Sequence, residues 1–174
     1  LGLRRILEKL KESEFKAEAE ELLKQEKIRP SKGKVQTTDH PPIYPTEAAT
    51  KKQLKGDKWT LYELITRRFF ATVAPPAKAE VSSAVIGIKN EKFSSKGYKL
   101  IFQGWKKYYP YLKTTEYDLP ELMIGADVDV LSVELEKKMT QPPRRYSQGS
   151  LIQEMERLGL GTKSARHDII QKLY

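Results

Sequence analysis

Cysteine is absent from the 174 residues. That excludes a disulfide framework and any zinc–thiolate centre, and it fits a reducing, intracellular setting. Histidine is scarce, with only His40 and His167, so a His-rich metal site is excluded as well. No apolar run approaches the length of a membrane span, and the N-terminus lacks a signal-peptide pattern. Asparagine occurs once, at Asn90, beside abundant Lys and Glu, a composition of the thermophilic kind. There is no GxxxxGK[ST] phosphate loop, no GxSxG elbow, and no evident nucleophile–base pair. The first residue is Leu1, not Met, as expected of a processed chain or a fragment.

What the chain has in excess is positive charge, net +9. It is unevenly placed. Residues 48–78 carry 7 basic and 2 acidic side chains, net +5, and residues 142–174 carry 6 and 3, net +3. Between them, residues 105–141 hold 5 basic and 7 acidic side chains, net −2. Two basic blocks around an acidic middle suit surfaces that meet a polyanion, most often nucleic acid. Charge alone fits solvated faces equally well.

The hydrophobic pattern changes period along the chain. Leu3, Ile6, Leu7 and Leu10, then Phe15, Ala19, Leu22 and Leu23, repeat at helical spacing. They predict a helical hairpin or one bent helix, with Ser13 as a cap, ended at Arg29-Pro30. Trp59 to Val73 predicts a strong helix closed by Pro75-Pro76. Period two then takes over. Glu80–Ile88 and Tyr98–Phe102 read as strands around a turn at Ser94–Gly97, and Asp127–Glu136 reads as a third strand. Residues 104–120 hold Trp105, Tyr108, Tyr109, Tyr111 and Tyr117. They could stack bases, but the stretch is acidic, and they read as core or turn packing. Near the end, Ser147 and Ser164 each precede a helical pattern, with Gly159 and Gly161 between. The fold class expected is α+β, with helical segments flanking a small antiparallel β-rich segment, in pieces of several domains.

Two stretches stand out chemically. "TTDHPPIYPT" (37–46) packs three prolines around His40, and a residue before proline is driven to extended conformations. The stiffness lowers the cost of ordering His40, which could contact a phosphate or act as an acid near neutral pH. A turn histidine bonded to a carbonyl fits the same residues. "QPPRRYSQGSLIQEMERLGLGTKSARHDIIQKLY" (141–174) presents Arg144 and Arg145 at a helix entry. It also directs a second helix start, with Lys163, Ser164 and Arg166, toward the same region. Guanidinium forks and free helix N–H groups both suit phosphate. A plain capped helical hairpin is the alternative.

Taken in order, these stretches resemble the type IA DNA topoisomerases, with archaeal features in the Gly-Leu-Gly-Thr-Lys-Ser run. "TTDHPPIYPT" is similar to the family's HPPIxPT segment. "LYELITRRFFATVAPPA" resembles the helix closing its tyrosine-bearing domain. The 141–174 stretch resembles its PPxRYSExSLxxxMExxGIGxxST block, and "GYKLIFQGW" fits between. The resemblance implies an enzyme (an isomerase) that cleaves one DNA strand with a tyrosine, passes another strand through the gap, and reseals. It implies residues 1–74 in the tyrosine-bearing domain, 75–144 in a β-rich arch, and 145–174 at the start of the DNA-binding base. By the same resemblance, His40 is an auxiliary phosphate-contacting residue. Arg67, Arg68, Arg144, Arg145, Tyr146, Ser147, Lys163, Ser164 and Arg166 fall on DNA-binding positions. The family's Ser-Tyr-x-Arg-Thr nucleophile motif and its acidic Toprim cluster are not in the chain, and Ala165 stands where the family has Thr.

The expectation is therefore a single-strand-binding piece that is inactive alone. It needs no cofactor itself, whereas Mg²⁺ is expected for the full-length enzyme. Its partners would be single-stranded DNA, the remaining domains of its parent and, through an uncovered sheet edge, a second copy. Its place would be the cytoplasm, on the nucleoid. From another class, a free-standing nucleic-acid-binding module with a helix-turn-helix-like C-terminus fits the last block.

Overall fold

The computed structural model describes residues 2–33 and 42–173. Two helices form the expected N-terminal hairpin, α1 (Leu3–Leu10) and α2 (Lys16–Leu23). Ser13 serves the turn between them but does not cap α2. Its hydroxyl donates to the Leu10 carbonyl at 2.6 Å and accepts from the Phe15 N–H at 3.1 Å. The guanidinium of Arg4 donates to the Leu23 carbonyl, an acceptor that the end of α2 leaves open, and to the Glu26 carbonyl just beyond it.

The long helix α3 (Asp57–Val73) begins after Gly56, whose φ of 57° is a glycine conformation. It ends for a proline reason. Ala74 precedes Pro75 and is forced extended, at ψ 156°, after its N–H makes a last bond to Phe70.

The three helices enclose an aromatic core. Phe15, in the α1–α2 turn, stacks on Trp59 at 5.7 Å with 3° between planes and meets the Phe70 ring edge-on at 6.0 Å. Phe70 in turn meets Tyr108 edge-on at 6.2 Å. Leu7, Leu10, Ala19, Leu22 and Val73 complete the cluster. Each large side chain so buried contributes about 1.5–3 kcal/mol.

Strands β1 (Lys78–Ile88) and β2 (Glu91–Phe102) form an antiparallel hairpin, registered from Ile88↔Glu91 to Lys78↔Phe102. The expected turn at Ser94–Gly97 is not where the chain reverses. Lys89-Asn90 makes the turn, with Lys89 at φ 55°. Gly97 instead lies within β2, where a Cβ would sit 2.5 Å from Ser82 Oγ and 3.2 Å from Leu119. Its glycine admits a close neighbour, the other common reason for glycine in a strand. Tyr98 and Tyr117 exchange backbone bonds of 2.7 and 3.1 Å, so the outer edge of β2 is partly covered. Antiparallel bonding alternates. Because Tyr98 bonds outward, its partner Val81 must too, followed by Ser83, Val85 and Gly87. No described backbone group meets that edge of β1.

After β2, a 3₁₀ turn (Gly104–Lys107) returns the chain to the end of α3. The Trp105 N–H donates to the Pro75 carbonyl at 2.9 Å. Gly104, at φ 50°, would place a Cβ 2.5 Å from the Pro76 carbonyl and 2.6 Å from that of Pro75. Only glycine fits there.

The chain divides into two compact units, Leu1–Ala126 and Asp127–Tyr174. In the second, the expected strand over Asp127–Glu136 is absent, and residues 127–146 are extended or irregular and exposed. Leu131 and Leu135 are 95% and 100% exposed. Alternation alone does not make a strand. The backbone needs a ladder partner, and none lies among the described residues. Helices α4 (Gln148–Arg157) and α5 (Ala165–Gln171) then form a short pair.

Candidate nucleic-acid interface

In the C-terminal unit, Arg144, Arg145 and Tyr146 lead directly into α4, and all three are exposed. Ser147 is the expected cap. Its Oγ accepts from the Ser150 N–H at 3.2 Å, while Ser150 Oγ accepts from the Ser147 N–H at 2.8 Å. This capping box fixes the entry of the chain into α4, and with it the residues just before. Its serines thereby share their hydroxyls with the backbone.

Gly159, at φ 67°, terminates α4. The Leu160 N–H reaches the Met155 carbonyl at 2.8 Å and the Gly159 N–H that of Glu156 at 3.1 Å, the paired bonds of a Schellman ending. Lys163 and Ser164 follow on the exposed connection to α5. Ser164 precedes α5 as expected but makes no capping bond. Its φ/ψ of −77°/−32° is already helical, and an N-cap needs an extended backbone to fold its hydroxyl back. The Thr162 carbonyl instead starts the helix, accepting from Ala165 and Arg166.

Arg166 differs from the other cations. It is buried, its Nε donates to the Leu160 carbonyl at 3.1 Å, and its guanidinium lies 3.7 Å from Glu156. It holds the Gly159–Gly161 turn against α5. By contrast, Arg144, Arg145 and Lys163 make no ion pair among the described residues.

In the N-terminal unit, Arg67 and Arg68 are adjacent on α3 but differently employed. Arg67 Nε donates to Glu63 at 2.7 Å, and its guanidinium covers the Phe15 ring at 5.2 Å. Arg68 is exposed, with its guanidinium over the Tyr109 ring at 5.6 Å. His40 lies outside the described residues. The segment that follows is anchored firmly. The Tyr62 hydroxyl donates to the Glu47 carbonyl at 2.8 Å, and Lys9 Nζ lies 2.6 Å from the Glu47 carboxylate. Tyr44 and Leu54 pack on the core.

Beside Arg68 opens a cleft of about 430 Å³, lined by Arg29, Pro30, Ser31, Ala71, Thr72, Ala74, Pro76 and Trp105. Sequence reasoning missed two of these. Arg29 read only as a helix stop and Trp105 as packing. The glycine immediately before Trp105 was the available signal. Of the aromatics in 104–120, Tyr108 is indeed core, at 4% exposure. Its phenol is pushed up to about 12, first by burial and then by the Glu21 carboxylate. No cluster of three or more His, Asp or Glu among the described residues could hold a metal ion. Those residues therefore do not fit a Mg²⁺ site. No described helix is long and apolar enough to cross a membrane.

A family model described as DNA topoisomerase matches residues 2–174. The chain belongs to that family, as its ordered motifs led one to expect. Its relatives include archaeal DNA topoisomerases 1. That of Archaeoglobus fulgidus is 50% identical over 161 residues, covering 92% of this chain and 24% of the relative. That of Thermoplasma acidophilum is 40% identical over 173 residues, covering 99% and 22%. The structure of full-length topoisomerase I from Thermotoga maritima matches with a TM-score of 0.63 at 34% identity, over 70% of this chain and 21% of that one. The chain thus spans less than a quarter of the length of these proteins.

Proposed function

We propose that this chain is the part of a type IA DNA topoisomerase that holds single-stranded DNA and shapes the gate, while the nucleophilic tyrosine lies elsewhere in the enzyme. The observation carrying this reading is the exposed arginine pair Arg144 and Arg145 at the capped entry of α4, with exposed Lys163 beyond the far end of that helix, none of them ion-paired among the described residues, in a chain of this family. Phosphate contacts position a strand and release counterions. Tyr146, 61% exposed beside the arginines, offers a ring to an unstacked base. Arg68 adds a cation on the other unit. Ser147 and Ser164 would contribute at the helix entries. Arg67 and Arg166 would act mainly by fixing the surfaces around them. His40 would assist at the phosphates of the cleaved strand.

In the whole enzyme, residues 1–74 would belong to the tyrosine-bearing domain, 75–144 to the arch and 145–174 to the base. Mg²⁺ would be held by residues outside this chain, and the enzyme would work on the nucleoid, in the cytoplasm. The open edge of β1 would take a strand from the remaining polypeptide, or from a second copy when that is missing. The helix-turn-helix alternative gains little support. Leu158–Ser164 is a longer connection than the roughly 3–4-residue turn of that motif.

The test is fluorescence anisotropy of a labelled single-stranded oligonucleotide. Changing Arg144 and Arg145 together to Ala should weaken binding about tenfold and flatten its salt dependence by about 0.7 per lost phosphate contact. Unchanged affinity and slope would remove both from the interface. In a supercoil-relaxation assay with Mg²⁺, the chain alone should show no activity. Relaxation would contradict its dependence on an external nucleophile.

A further inference from the structure

We infer that the cleft between Arg29, Arg68 and Trp105 is a second contact point for the strand, taking one nucleotide with its phosphate on the arginines and its base on the indole. This rests on the single-strand reading above, which already counts Arg68, and extends it from one cation to a formed cleft at the end of α3.

Three observations converge on the cleft. Its chemistry is one-sided, because among the described residues the lining holds two guanidinium groups, the hydroxyl-bearing Ser31 and Thr72, and no carboxylate. Neither Arg29 nor Arg68 forms an ion pair among the described residues, whereas neighbouring Arg67 is bound to Glu63. A phosphate offers the missing counter-charge in a form that arginine recognises bidentately. The remaining wall is apolar, formed by Pro30, Pro76 and the partly exposed Trp105 with Ala71 and Ala74. At about 430 Å³ the space lies in the range of small-molecule sites, roughly 300–1,000 Å³.

The third observation is rigidity. Trp105 is not on a wandering loop. Its backbone N–H is bonded to the Pro75 carbonyl, and Gly104 brings it there at a left-handed φ in space no other residue could enter. The opposite wall is held too, by the Ser31 N–H bonded to the Thr72 carbonyl at 2.7 Å. Stacking on a preset ring costs little ordering entropy, which favours binding. An indole meant only to fill a core would be covered, as Tyr108 is.

The experiment uses the chain with Trp59→Phe, which leaves Trp105 as the sole tryptophan. It is titrated with an oligo(dT) of about eight nucleotides, within the roughly 4–16 nucleotides of such sites, and anisotropy is followed in parallel. The expected result is saturable quenching of Trp105 that tracks binding and reverses with salt. Arg29→Ala should weaken both signals about three- to tenfold, and Trp105→Ala should lower affinity about tenfold. Arg29 is exposed and makes no described side-chain bond, so its variant should keep the parent circular dichroism and melting point. Binding by anisotropy with unchanged Trp105 emission and unchanged Arg29→Ala affinity overturns the cleft while sparing the interface at Arg144 and Arg145. Absence of any single-strand binding overturns both.

Discussion

The two units of this chain are stabilised on different scales. The first surrounds Phe70 with Phe15, Phe69 and Tyr108, and buries a further set of aliphatic side chains from three helices. The second has, among its described residues, only Ile170 and Arg166 buried, and holds its shape through a capping box, a Schellman ending and one internal arginine. A core that small cannot offset much chain entropy. The lesson is that local backbone devices matter most where burial is least. The same unit carries the exposed Arg144, Arg145 and Lys163, as expected of a surface completed by a ligand or by neighbouring polypeptide.

That contrast can be broken by substitution. Phe70→Ala should cost about 3–5 kcal/mol, as a fully buried ring is lost, and should lower the main denaturation midpoint while leaving α4 and α5 signals in NMR spectra unchanged. Gly104→Ala should cost about 2–4 kcal/mol, from overpacking against the Pro75 and Pro76 carbonyls plus left-handed strain. An unchanged melting temperature would show that the seat of Trp105 is loose. In the second unit, Ser147→Ala should cost only about 1 kcal/mol. It should nevertheless abolish amide-exchange protection in α4, because that unit has so little other support. If protection persists, the unit is held by more than its caps.

The smallest effect is one of pH. The Tyr108 phenol is raised from 10.0 to about 12 in the fold. Its contribution to stability is fully present below about pH 10 and is lost as the pH rises to about 12. Denaturation midpoints should therefore fall more steeply across that window in the parent than in Tyr108→Phe. Parallel curves would mean that the phenol is less desolvated than its surroundings imply.

Much of this was legible in the residues. The α1–α2 hairpin, α3 with its proline ending, the Ser147 cap and the Gly159 break all follow from local rules that tertiary context leaves intact. Two of the failures share a cause, which is dependence on a partner distant in sequence, and a third is local. Gly97 looks like a turn residue until Ser82 and Leu119 are beside it. Residues 127–136 alternate like a strand but have no described strand to pair with. Lys89 turns the chain at a positive φ that its residue type does not advertise. Among the candidate site residues, exposure could be anticipated for Arg144, Arg145 and Lys163. The inward bond of Arg166 and the cleft at Arg29 and Trp105 could not, because each depends on a carbonyl or wall supplied by another segment.

The central claim is that this chain holds single-stranded DNA through its exposed cations. Its most direct test compares the affinities for a single-stranded oligonucleotide and for the same sequence as a duplex, across a salt series. The account predicts tighter binding to the single strand, with affinity falling log-linearly as salt rises. Equal or tighter binding to the duplex, or an affinity indifferent to salt, would contradict it.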